Sequence, residues 1–595
     1  MLPRPAVHGS TGAHPGTSHK GVSAVRNRAR TLGAVLAGCV LIASACGGGS
    51  DSSSETDGSD TSNTEAPVGT DATDGGTDAD GDTDDGEADA PVVTQLTSDD
   101  EGIDESELAP QAGGEVIYGI PTDGTGFSTT GAIPSGSLRI AVALNDSLVA
   151  VNADGDWVPN LAESLTPNDD FTAWTITLRP GVEFHDGAPV DAAAVAANLS
   201  AVKASPTTGF TLAAMNEATA TGELEVTVTM NTPWAAFPFI LIGQTGFMVS
   251  PDTIGTNETF VGTGPFVLES WAPGDTARVV RNDNYWRSDE GYPYLDAITF
   301  KVIPEVEARS QALAAGDIDG FSNPSDSLIL DALDSDDADV YITEATSNEA
   351  LVILNTTAAP TDDLRIRTAM AHALDRQLII DTFRSGLTTP ANSFISPDSP
   401  WYADTDYPAF DLEAATALVD EYEAEVGPAE VTFKVSNSTG SVQVVETIAS
   451  LWNAVGIDTT VEEIAEGTEV TPVISDDFQA IYWFQFGGAD PDAEYVFFHS
   501  SGGPINWSNL VDPDIDAGFD RGRASNDQVE RAAGYAQVQE ALASQLPMLW
   551  IDHLGGVEAV IVSPELRGVA DGTLPEGDQS LTTGGYFSWE DVWIG

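Results

Sequence analysis

A break in composition near residue 113 limits this chain more than any motif does. Residues 47–112 hold 20 acidic and no basic residues in a matrix of Gly, Ser, Thr and Ala. Such a stretch cannot bury enough apolar surface to offset the entropy of ordering it, and its like charges push it toward extension. It is expected to be a disordered acidic linker. Residues 78–86 have the look of a calcium loop, but no register supplies both the Gly at position six and the Glu at position twelve of an EF-hand. Folding therefore begins near Gly113.

Residues 1–46 carry Arg4, Lys20, Arg26, Arg28 and Arg30 and no acidic residue. A mostly apolar run, 31–45, follows and leads into Cys46-Gly47-Gly48-Gly49-Ser50. A basic region, a short apolar region and small residues before a cleavage point are the marks of an export signal. The run is too short to span the ~30 Å of bilayer hydrocarbon comfortably. Small residues before a Cys resemble a bacterial lipobox, in which the Cys is lipidated and becomes the mature N-terminus. Ala43-Ser44-Ala45-Cys46 has a full apolar run ahead of it and is favoured. Leu36-Ala37-Gly38-Cys39 is the better local match but leaves an apolar run of only about eight residues.

The whole chain sets 94 acidic against 22 basic residues, a net charge of −72 over 595 residues. That balance argues against nucleic-acid phosphates or an anionic membrane surface as partners. A hydrophobic fraction of 41% excludes global disorder. Two cysteines exclude a four-cysteine zinc site and a disulfide framework.

Beyond residue 113 the pattern alternates in type. Residues 115–119, 174–178, 225–229 and 297–302 are β-branched runs and predict strands. Ala-rich stretches at 190–202, 306–315, 363–384, 412–425 and 528–544 predict helices, with Asp191 and Asp411 as N-caps. The mixture indicates α/β lobes. No nucleophile elbow, zinc helix, Walker loop or dinucleotide fingerprint occurs. The histidines beyond the signal, His185, His372, His499 and His553, are dispersed without ligand spacing. No cofactor or metal is expected, and a secreted hydrolase is the weakest alternative.

An ordered series of segments rises above this background. Pro159-Asn160-Leu161-Ala162-Glu163-Ser164 precedes Val182-Glu183-Phe184-His185-Asp186-Gly187 and Pro189-Val190-Asp191-Ala192. Further on come Gly262-Thr263-Gly264-Pro265-Phe266, Arg281-Asn282-Asp283-Asn284-Tyr285-Trp286 and Ala315-Gly316-Asp317-Ile318-Asp319. Leu354-Asn355, Asp363-Leu364-Arg365-Ile366-Arg367, Ala373-Leu374-Asp375-Arg376, Asp490-Pro491-Asp492 and Asp512-Pro513-Asp514 complete it. Collinear from about 113 to 569, this series resembles the peptide-type solute-binding lipoproteins of ABC importers (extracellular solute-binding protein family 5).

The resemblance implies an α/β, two-lobed, type II periplasmic-binding-protein-like fold with an extra subdomain in lobe I. Residues 113–354 and 548–595 would form lobe I, with the subdomain at about 158–260, and 355–547 would form lobe II. The hinge would fall near Leu354-Asn355 and between Pro547 and Trp550. A small, peptide-like solute would be captured between the lobes and delivered to ABC permease subunits, with no bond made or broken. The protein would be an extracytoplasmic monomer, held at the membrane only by its lipid anchor. A non-transport signalling receptor is the alternative.

Most motif residues are expected to be structural, His185 beside its turn Asp186 included. Solute contacts are expected in lobe II at Trp483, Phe484, Gln485 and Gly487. In oligopeptide-binding relatives a Trp and an Asp lie six and three residues before the acidic-Pro step, and the Asp pairs with the peptide ammonium. Here those positions hold Phe484 and Gly487, so the aromatic shelf is kept and the carboxylate is lost. Burying an unpaired ammonium is costly, which disfavours ordinary free-amine peptides. Tyr118, Thr122, Asn323, Phe394 and Trp401 are further candidates by position.

Overall fold

The computed structural model describes residues 23–25 and 109–595, apart from 125, 132, 134, 154, 257–259, 323, 336, 343–347, 466–467, 487–489, 554–558, 571 and 581–586. Cys46, Cys39 and the acidic linker lie outside the described residues. Three sheets organise the rest. In the first, of eight strands, Glu115–Ile120 runs parallel to both Ala297–Val302 and Gly320–Ser322. Val560–Val562 and Asp339–Ile342 continue it on one side, with Ser23–Val25 at the edge. Thr276–Arg281 and Phe266–Ala272 close the other side. Val116, Tyr118, Phe266, Phe300 and Trp589 are buried in its core.

A separate antiparallel sheet orders Ala162–Pro167, Ala173–Leu178, Glu225–Met230 and Met215–Ala220. The helix Ala192–Ala204 covers it, turning Val195, Leu199 and Val202 inward. Each such side chain stabilises the subdomain by roughly 1.5–3 kcal/mol. Asp191 caps the helix through the Ala194 amide, as its sequence position predicts.

The third sheet orders Thr389–Pro390, Met548–His553, Asn348–Leu354, Ala480–Phe486, Glu430–Ser436 and Asp458–Ile464. One face packs on Ile366, Met370 and Trp452, whose ring stacks on Phe433 at 4.9 Å. The other face packs on Phe394, Phe519, Tyr535 and Trp550. This sheet corrects the predicted lobe boundaries. Asn348–Leu354 and Met548–His553 were assigned to lobe I, yet they are paired in the middle of the lobe II sheet. The first sheet ends at Ile342 and the third begins at Asn348, and the chain leaves the third at His553 before rejoining the first at Val560, so the changes of sheet do not fall at Leu354-Asn355 and Pro547.

The stretch 363–384 is also two helices rather than one. Leu364–His372 stops at Ala373, and Asp375 then caps Arg376–Phe383 by accepting from the Leu378 amide. Arg365 reaches Glu425 of the helix Leu412–Glu425 at 2.9 Å, while Arg367 donates to the Gln545 and Thr361 carbonyls. Both arginines hold lobe II to itself.

Candidate functional site

The family-like motifs fold into joints. His185 Nε2 lies 3.1 Å from the Gly264 carbonyl, and His185 Nδ1 accepts from the Gly262 amide at 3.2 Å. Burial pulls this imidazole down to about 4, so it stays neutral and serves as donor and acceptor at once. Gly264 is needed for close approach, because a Cβ there would meet the backbone of Leu144 and Asn145 at 2.5 Å.

A second joint ties the subdomain to lobe II. Asp492 accepts from Arg523 Nε at 2.6 Å and from the Trp234 indole at 2.6 Å. The Ala235 amide donates to the Arg523 carbonyl, and the Arg523 guanidinium lies 4.9 Å from the Trp234 ring. Beside this joint a small cleft of about 70 Å³ is lined by Phe210, Trp234, Phe239, Asp490, Asp492 and Val496. Asp490 is engaged by Arg531 Nη2 at 2.7 and 2.8 Å.

Unsatisfied polar chemistry lies elsewhere, at the strand ends of the lobe II sheet. Pairing register sets Gln485, Glu349 and His553 in one row across three adjacent strands. Directly opposed residues share a face, so the three side chains stand together. Glu349 is 1% exposed and neither of its carboxyl oxygens accepts a hydrogen bond. Glu494 accepts from Gln485 Nε2 at 3.0 Å through one oxygen and leaves the other unpartnered. Both ring nitrogens of His553 are unpartnered as well, with Nδ1 3.3 Å from Glu349.

Burial lifts the Glu349 carboxyl well above the ordinary carboxylate range, with Glu494 and Asp552 adding repulsion. It pushes Glu494 up to about 8, against the pull of the Gln485 hydrogen bond. It pulls His553 down to about 4, with Asp398 opposing. Burial thus disfavours the charged form of all three groups, and with it an ion pair between His553 and Glu349.

On the opposite face, Asp552 accepts from Arg384 at 2.7 Å and from Thr388 at 2.9 Å. Asp326, which opens the helix Asp326–Leu333 after the lobe I strand Gly320–Ser322, has its carboxyl lifted to about 6 by burial, with Arg384 opposing. Residues of both lobes thus converge where the chain crosses between the sheets. Among the described residues no group of three or more His, Cys, Asp or Glu is arranged to hold a metal ion.

Gln485 is the one expected contact that the structure places in the row. Phe484 points to the other face, edge-on to Tyr482 at 5.1 Å. Trp483 packs against Trp507 at 4.6 Å. Tyr118 and Phe394 are corrections. Tyr118 is buried among Phe300, Phe587 and Trp589, and Phe394 among Phe498, Phe519 and Trp550. Trp401 packs on Tyr535 and lies under the Arg531 guanidinium. Thr122 is an exposed turn residue accepting from the Gly124 amide. Asn323 and Gly487 lie outside the described residues. Glu349, Glu494 and His553 carried no sequence signal, since acidic residues are abundant and the histidine stands alone.

Two lobes, each built on its own sheet and joined by two crossings, define a periplasmic-type binding protein. Residues 156–507 match the family model of the bacterial extracellular solute-binding proteins, family 5. The chain belongs to that family. It is 28% identical over 436 residues to Protein XP55 of Streptomyces lividans, covering 69% of this chain and 78% of the relative. To the glutathione-binding protein GsiB of Salmonella paratyphi A it is 25% identical over 458 residues, covering 73% and 88%. Among solved structures it is similar to the oligopeptide-binding protein AppA of Bacillus subtilis, with TM-score 0.69, 22% identity and coverage of 82% and 100%. NikA of Brucella suis gives TM-score 0.70 at 23% identity, with coverage of 81% and 100%. The family is one of extracellular solute-binding proteins.

Proposed function

We infer that the protein is the extracytoplasmic solute-binding subunit of an ABC importer and performs no catalysis. The observation that carries this reading is the set of buried, unpartnered polar groups at the inter-lobe crossings, in a fold whose relatives hold small solutes. A solute touching both lobes would favour their closed arrangement, because only differential contacts shift such an equilibrium. The loaded protein would then dock on permease subunits as a monomer. Cys46 would carry the lipid, with 47–112 as the tether.

The test is native mass spectrometry of the purified mature protein together with thermal shift over peptides, blocked peptides, oligosaccharides and metal chelates. A released or stabilising solute that is recovered unaltered supports the reading. Turnover of that solute, or loss of the gene without loss of its uptake, refutes it.

A further inference from the structure

The central strands of lobe II end, beside the changes of sheet, in the row Gln485, Glu349 and His553, where a solute held between the lobes would meet them; this inference rests on the solute-binding reading above. Lobe II buries three arginines near this region, and each already has a carboxylate: Arg384 with Asp552, Arg523 with Asp492 and Arg531 with Asp490. Among the described residues no Lys or Arg pairs with Glu349 or Glu494. Three carboxyl oxygens and two imidazole nitrogens therefore stand together, buried and without hydrogen-bond partners. A buried polar atom left so costs roughly 1–3 kcal/mol, and native proteins hold few of them.

We propose that the row Gln485–Glu349–His553, with Glu494 behind it, seats a cationic organic group of the solute: a protonated amine or a guanidinium. Such a group brings several N–H donors at once, and the row offers acceptors on three elements. Glu349 comes from Asn348–Leu354, His553 from Met548–His553, and Glu494 from the turn after Ala480–Phe486. Gln485 spends its amide N–H on Glu494 and so holds that carboxyl in place. A neutral His553 accepts through one ring nitrogen. A bare divalent ion fits less well, because these side chains do not converge in a ligand arrangement. Charge-assisted hydrogen bonds in a water-poor site are short and strong, and each ionised carboxyl would be neutralised by the cation it holds.

Ionisation supplies a signature that simple packing lacks. Burial favours the protonated form of Glu349 and Glu494 in the empty protein, with Asp552 and Asp398 as the neighbouring acids and Arg384 committed across the sheet. A bound cation lowers their proton affinity, so binding releases protons.

The experiment is calorimetry on the mature protein with agmatine, cadaverine and Lys- or Arg-containing dipeptides. Citrulline and Nε-acetyl-lysine counterparts are the neutral controls. Expected is binding of at least one cationic probe at least ~10-fold tighter than its neutral counterpart, with a heat that varies with the buffer's ionisation enthalpy. Glu349→Gln and Glu494→Gln, each checked for an unchanged fold by circular dichroism, should each remove that preference and the proton release. Equal binding of cationic and neutral probes, or a released native solute without a basic nitrogen, overturns the cation while solute binding stands. Stabilisation by Ni(II) or Zn(II) alone that Glu349→Gln abolishes also overturns it, in favour of a metal site. No response to any probe and no releasable solute refutes both readings.

Discussion

Replacing Glu494 by Gln should change how the empty protein's stability depends on pH, in a direction opposite to the usual carboxylate. The folded-state value of about 8 lies above the ordinary 4.5. In the unfolded chain the acid therefore gives up its proton first, and folding is opposed increasingly as pH rises from about 4.5 to 8. At 1.36 kcal/mol per unit the limit is ~5 kcal/mol at pH 8, and none of it remains below pH 4. The groups that act on Glu494 are Gln485, whose hydrogen bond lowers its proton affinity, and the neighbouring buried Glu349. Glu494→Gln keeps the shape and removes the titration. For a lobe of roughly 200 residues, 1 kcal/mol moves the midpoint by about 2–4 °C. The variant should thus exceed wild type by only about 2–3 °C at pH 5 and by on the order of 10 °C at pH 8.5. Differential scanning calorimetry across pH 5–9 without solute reads this directly. Comparing variant with wild type also cancels the Asp146 carboxyl of lobe I, which burial and Glu590 lift to about 7. A wild-type midpoint that stays parallel to the variant's over the whole range would refute the reasoning.

Trp234→Phe removes an indole donor to Asp492 and weakens the Arg523 contact across the subdomain–lobe II joint, a loss of about 2 kcal/mol. Solute affinity should fall on the order of 10-fold with little change in the unfolding of lobe II, as titration and thermal scans would report. Gly264→Ala places a Cβ 2.5 Å from the backbone of Leu144 and Asn145. Neither can yield cheaply, so the variant should lose more than ~2 kcal/mol in denaturant unfolding. Cys46→Ala should leave the full-length protein out of the membrane fraction and unlabelled by palmitate analogues; continued labelling would shift the anchor to Cys39.

Local chemistry was legible in the sequence where one element decides it. Asp191 and Asp411 announce their helices because an N-cap needs only a side-chain oxygen two or three residues ahead of an unpaired amide. Alternation marked the strands Ala173–Leu178 and Glu225–Met230 for the same reason, since each has one buried face. Sheet membership was not legible. All six residues of Met548–His553 are buried, so its pattern says that it is central without saying in which sheet. The aromatic candidates Tyr118 and Phe394 lie buried in ring clusters, since large rings near a cleft and large rings in a core read alike from composition. Glu349, Gln485 and His553 are distant in the chain and meet only through strand register, which a single sequence does not display.

That register also alters what the loss of an acid at Gly487 implies. Judged from one position, the missing carboxylate leaves an ammonium without a partner. Judged from the sheet, the adjoining strand ends carry Glu349 and Glu494, whose oxygens are unspent. Around them the same lobe shows what a completed carboxylate looks like. Asp490 holds Arg531 through both oxygens, and Asp492 holds Arg523 and the Trp234 indole together. Those pairs are closed, and breaking one strands its partner, which costs ~3–5 kcal/mol when buried. Their work is to fix the lobe and its joint to the subdomain. The row at the crossings, by contrast, gathers three carboxyl oxygens and two imidazole nitrogens with no such partner. An incoming donor is therefore the one addition that lowers its free energy without disturbing a pair already made.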